Sequence, residues 1–142
     1  MIVPLYESSI FSVSEDTSRR WLYIEWQGIQ DETSALASCA IIMRFVKQTG
    51  VTKILWDSSQ GIDGWELLGE WMQQHYFPRL WQNGIGAVAW VKAQEPTTPY
   101  KIQDKIQEFA HRNKHPVINI FDHLASACEW LEHYSSSTAK RQ

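Results

Sequence analysis

The residues best placed to do chemistry are Asp57, Ser58, Ser59 and Asp63, which gather where an apolar run, ILW, gives way to a predicted helix. Two carboxylates can divide acid and base roles when their surroundings separate their proton affinities. Asp57 and Asp63 could do this only by converging on a closed pocket. Ser58 and Ser59 lack the pattern of a nucleophile elbow, and no histidine stands beside them in sequence. Amides at the start of a helix can hold an anion. Here the carboxylates oppose a bare phosphate, and the glycine-rich phosphate fingerprint is missing. The expectation is therefore a binding surface without catalytic residues, made of Asp57, Ser58, Ser59, Asp63, Gly64 and Trp65, with Trp71 at its margin. A purely local role is the alternative: Asp63 caps the helix, while Asp57 and the serines satisfy turn amides.

The other reactive side chains are scattered. His75, His111, His115, His123 and His133 include no tight metal-binding pair, and no cysteine cluster accompanies them. His111 and His115 have helical spacing, but Asn113 and Pro116 signal a helix end, where an imidazole is favourably placed. Cys39 and Cys128 fall on apolar helix faces and read as small buried hydrophobes, which implies a reducing compartment. Neither a metal nor a cofactor is expected.

The elements that position these residues follow from period and punctuation. Ile10 to Val13 alternates apolar residues with serine and predicts a strand, and Glu15 to Ser18 predicts a turn. In the run from Arg20 to Trp26, Trp21, Tyr23 and Glu25 share one face, and Leu22, Ile24 and Trp26 the other. The two strands predict an antiparallel hairpin. From Glu32 to Gln48 the period changes to helical, with Leu36, Cys39, Ile42, Met43 and Val46 as the stripe. Asp31 or Thr33 can cap its start and Gly50 its end.

Lys53 to Trp56 predicts a short central strand, with a loop from Asp57 onward. Asp63 would cap a second helix with Trp65, Leu68, Met72 and Tyr76 inward, disturbed at Pro78 and ended at Gly84. Ile85 to Val91 predicts another buried strand. Pro99 opens a helix carrying Ile102, Ile106, Phe109 and Ala110. Val117 to Phe121 is the last strand, and Asp122 would cap a final helix with Leu124, Ala127, Cys128 and Leu131 inward. The expected fold is α/β: an N-terminal β-hairpin, then alternating strands and helices, forming a mixed, mostly parallel sheet of about five strands with about four helices. Residues 1–134 form one domain and 135–142 a flexible tail.

Bulk properties narrow the partners. A chain of 142 residues can close one core without staples. Its formal net charge of −3 gives no electrostatic footing for nucleic acid. No apolar run reaches the length of a membrane span, and the N-terminus lacks the regions of a signal peptide, so a cytoplasmic location is expected. The eight tryptophans are more than a small sheet encloses easily. Some should border a groove or an interface between two copies of the chain, so homodimerisation is expected.

Three stretches resemble the STAS domain, the SpoIIAA-like fold of anti-sigma-factor antagonists: ILWDSSQGIDGW, IGAVAWV and INIFDHLASACEWL. The resemblance spans Ile10 to Tyr134. It is closest to the bacterial group described as STAS/SEC14 domain-containing, in which a WFPR-like stretch ends the second helix; here it reads Tyr76-Phe77-Pro78-Arg79. In the antagonists an aspartate at the helix start is followed by a serine that a partner kinase phosphorylates. The turn Ile62-Asp63-Gly64-Trp65 has no such hydroxyl, so the binding surface carries over and the phosphoswitch does not. The resemblance implies a non-enzymatic module of bacterial signalling that acts through a protein partner. The SEC14-like label implies the alternative, a carrier of a small apolar ligand or lipid in an aromatic groove beside the second helix.

Overall fold

The computed structural model describes residues 1–29, 31–62, 71–92 and 115–134. Among these, the chain forms a six-stranded mixed sheet and three α-helices. The strands are β1 (Ile2–Glu7), β2 (Phe11–Asp16), β3 (Trp21–Ile29), β4 (Lys53–Ile62), β5 (Ala87–Val91) and β6 (Val117–Phe121), hydrogen-bonded in that order across the sheet. The first three form an antiparallel meander, and β3 through β6 run parallel. The α/β class and the mixed, mostly parallel sheet agree with the pattern read from sequence.

The expected hairpin is extended by β1, a strand the alternation pattern did not suggest because Pro4 and a bulge between Pro4 and Tyr6 interrupt it. The acidic pair Glu15-Asp16 completes β2 instead of turning. The turn falls at Thr17–Arg20, where Arg20 adopts a left-handed φ of 61°. There the Arg19 guanidinium contacts Asp16, Glu132 and the Trp21 ring, tying the turn to the last helix.

Helix α1 (Glu32–Thr49) starts as its sequence dictates. Asp31 accepts the Ser34 N–H at 2.7 Å, and the Ser34 hydroxyl accepts the Asp31 N–H at 3.2 Å, completing a capping box. Gly50, at φ 70°, closes the helix through a bond to the Val46 carbonyl. Ala35, Ser38, Cys39, Ile42, Met43, Phe45 and Val46 are buried, whereas Leu36, expected inside, is 36% exposed.

The break at Pro78 takes the form of a widened turn. Met72–Tyr76 is π-helical, with the Phe77 N–H reaching back to the Met72 carbonyl, before α2 (Phe77–Gln82). Proline offers no N–H to the carbonyl four residues earlier and crowds it, and one extra residue in the turn relieves both defects. Gly84 follows at φ 98°. Met72 and Tyr76 are buried as expected, and the Tyr76 hydroxyl donates to the Cys39 carbonyl at 2.8 Å, fastening this helix to α1. Helix α3 (Leu124–His133) begins with His123 as its N-cap residue, one position after the expected Asp122, whose carboxylate pairs with Lys92 at 2.7 Å. Ala127 and Leu131 are buried, Cys128 is half-buried, and Leu124 is exposed. The predicted start of the second helix, the helix after Pro99 and the tail at 135–142 lie outside the described residues.

Two cores result, one on each face of the sheet. The larger unites Leu22, Ile24, Trp26, Ile54, Trp56, Val88 and Trp90 with α1, Met72, Tyr76, Phe77 and Leu80. The smaller sets Trp21, Leu55, Ala87, Ala89 and Val91 under Ala127 and Leu131 of α3. The faces of β3 are thus divided as the alternation of Trp21 to Trp26 requires. A row of rings crosses the larger core, one from each of five neighbouring strands: Tyr6, Phe11, Trp26, Trp56 and Trp90. Successive centroids lie 5.1, 4.9, 5.4 and 4.8 Å apart. Trp26 and Trp56 are completely buried. Aromatic neighbours on adjacent strands add specific contact energy to their area burial.

Candidate functional site

The sheet is uneven at the end where the parallel strands finish, the edge at which α/β proteins bind ligands. The β4–β5 ladder ends at Asp57 and Val91, but β4 continues to Ile62 against β3. Gln27-Gly28-Ile29 lies beside Gln60-Gly61-Ile62 position for position, so the same tripeptide forms both sides of a projecting parallel ribbon. Glu25 pairs with Asp57 and Gln27 with Gln60, leaving Ser58 and Ser59 opposite Trp26 alone. That is a β-bulge, a device that re-aims side chains and is common near functional sites.

Asp57 to Ser59 are therefore not the strand-end loop expected from sequence. They lie inside β4, because β3 supplies a matching partner for the polar run and the bulge absorbs the extra residue. Asp57 is buried at 3% exposure, Ser58 is buried, and Ser59 is half-buried. The Asp57 carboxylate accepts three hydrogen bonds. Tyr23 donates its hydroxyl to Oδ2 at 2.8 Å, while Ser59 donates its N–H at 3.0 Å and its hydroxyl at 2.6 Å to Oδ1. Glu25 occupies the neighbouring register position and is half-buried. Burial, then the hydrogen bond to Asp57 and the adjacent carboxylate charge, push the Tyr23 phenol far above its usual range. Burial also raises the Cys128 thiol on α3; Arg19 opposes that rise, and Asp57 adds to it.

Ser58 differs from Ser59. Strand alternation assigns it to the Trp56 side, and its buried hydroxyl has no hydrogen-bond partner among the described residues. Trp71 also belongs to that side. It is half-buried, packs on the larger core and stacks on Tyr76 at 5.5 Å. The sheet thus separates Asp57 and Ser59 from Trp71, which sequence reasoning had grouped together. Asp63, Gly64 and Trp65 lie outside the described residues.

Tyr23 and Glu25 are the site residues that sequence reasoning missed. Their position on one face of β3 was legible, but their pairing with Asp57 depends on the β3–β4 register. Among the described residues, no group of three or more His, Cys, Asp or Glu side chains could hold a metal, and no helix is long and apolar enough to cross a membrane. A concavity of about 400 Å³ lies along α3, lined by Ser126, Glu129, Trp130, His133 and Tyr134.

Compared with known proteins, the chain matches no family model, no curated protein and no solved structure.

Proposed function

We propose that the chain is a non-enzymatic, STAS-like regulatory module that binds a protein partner at the projecting β3–β4 ribbon. The observation that carries this reading is the ribbon itself. Among the described residues two strands run on beyond their neighbour, and β4 is bulged at Ser58 and Ser59 and braced by the Asp57 carboxylate. Asp57 acts as an internal brace, and the exposed Gln27 and Gln60, with the half-buried Ser59, offer the contact surface. A rigid rim of amide and hydroxyl groups suits hydrogen-bonded recognition of a protein surface. The bacterial, cytoplasmic signalling role belongs to the same proposal and comes from the STAS resemblance. For the alternative of an apolar carrier, the groove would lie beside the second helix. There Trp71 stacks on Tyr76 and Phe77 is buried in the larger core, which favours a structural role for these rings.

Affinity capture from source-cell lysate tests the proposal, with wild-type chain, Gln60→Arg and the remote control Thr17→Arg as baits. A partner held by wild type and control and lost from folded Gln60→Arg supports the ribbon as the contact. Equal retention on all three baits, or no stoichiometric partner on any, overturns it.

A further inference from the structure

We infer that β6 is the seam of a homodimer, in which Ile118 and Ile120 of one protomer pair with Ile120 and Ile118 of a second copy about a two-fold axis at Asn119. This inference is independent of the role assigned to the β3–β4 ribbon.

Strand β6 is the last in the sheet and pairs only with β5 among the described residues. The Val117 N–H donates to the Gly86 carbonyl, and the Phe121 carbonyl accepts the Lys92 N–H, both at 3.0 Å. In a parallel ladder alternate residues address the same neighbour. Val117, Asn119 and Phe121 therefore face β5, and the amides and carbonyls of Ile118 and Ile120 point away from it. No described residue meets them. Such an edge is a template for another strand.

The opposite edge is closed to the same use. In β1 the Met1 carbonyl accepts the Thr17 N–H, so alternation turns Ile2 and Pro4 outward. At Pro4 the outward position has no N–H to give, the usual way a natural edge strand refuses a partner. Among the described residues, one edge is blocked by proline and the other is open.

A second copy fits the open edge because the pattern is its own complement. Placed antiparallel with Asn119 on the axis, Ile118 of each protomer exchanges N–H···O bonds with Ile120 of the other. This makes four bonds from groups that have no partner among the described residues. Beside the seam, Phe121 of β6 contacts Trp130 of α3 at 5.6 Å, and Trp130 contacts Tyr134 at 5.5 Å. Trp130 and Tyr134 line the concavity along α3. The aromatic lining supplies the apolar area that four backbone bonds alone would lack.

Sedimentation equilibrium of the full chain over a concentration series tests the seam. Wild type is expected to show twice the chain mass. Asn119 is exposed, so Asn119→Asp should keep the circular dichroism spectrum while setting two carboxylates against each other on the axis, weakening dimerisation about tenfold or more. In a Cys128→Ser background, Asn119→Cys should oxidise to a covalent dimer. Facing Cα atoms of a non-hydrogen-bonded antiparallel pair lie about 4.5 Å apart, within disulfide reach. A strictly monomeric wild type overturns the inference. So does a dimer that Asn119→Asp leaves intact, or one in which Asn119→Cys fails to cross-link.

Discussion

Tyr23 and Asp57, 34 residues apart in the chain, are joined by a 2.8 Å hydrogen bond between neighbouring parallel strands. The phenol is one of only two side chains that serve this buried carboxylate in the described structure, the other being Ser59. Removing it in Tyr23→Phe leaves a buried acceptor short of a donor. The expected loss is about 1–3 kcal/mol. A lowered urea midpoint with an unchanged slope would confirm it, and an unchanged midpoint would refute it.

The adjacent serines should respond in opposite directions. Ser59→Ala removes a hydroxyl bonded to Asp57 at 2.6 Å and should cost about 1 kcal/mol. Ser58→Ala removes a buried hydroxyl without a described partner and should be neutral or stabilising by about 1 kcal/mol. Thermal melts of the two variants side by side distinguish them. Equal destabilisation would mean that Ser58 is as well served as Ser59.

Stability should fall in alkali. Burial pushes the Cys39 thiol up from 9.0 to about 12 and raises the Tyr76 phenol well above 10.0. In the unfolded chain these groups release protons first, so between about pH 9 and 12 the folded state holds more protons than the unfolded one. The stabilisation from their neutral burial is complete below about pH 9 and is lost as pH rises through that window. Urea midpoints should therefore decline above about pH 9, and Cys39→Ala should flatten the first part of the decline. A midpoint that is flat with pH in wild type would contradict this.

At Arg20 the backbone is left-handed, with φ 61°, a conformation in which a side chain crowds its own carbonyl. Arg20→Gly relieves that crowding but also loosens the unfolded chain. The balance should be a gain of about 0.5–1 kcal/mol, readable as a raised melting temperature. A lower melting temperature would show that the Arg20 side chain does more than its exposed position suggests.

Local physics made much of this fold readable in advance. Alternation divided Trp21 to Trp26 correctly between two cores, and Asp31, Gly50 and Pro78 each acted on the backbone as their chemistry demands. The failures were non-local. Nothing in Asp57-Ser58-Ser59 signals a strand, because that conformation depends on β3 running alongside with a matching Gln-Gly-Ile. Leu36 and Ala35 exchange places because a small rotation of α1 decides which of two neighbouring apolar residues meets the sheet. The Tyr23–Asp57 contact required the register, which one sequence does not contain.

The arrangement of the strands also implies an order of assembly. The antiparallel meander is closed by two short turns, so its contacts join near neighbours in the chain. Every later ladder waits for a long crossover to bring its strands together, and loop-closure entropy makes such pairings slow. In pulse-labelled refolding, the amides of Val13 and Tyr23 should resist exchange before those of Leu55 and Val88. The N-terminal meander would then be the surface on which the remaining strands are laid down one by one.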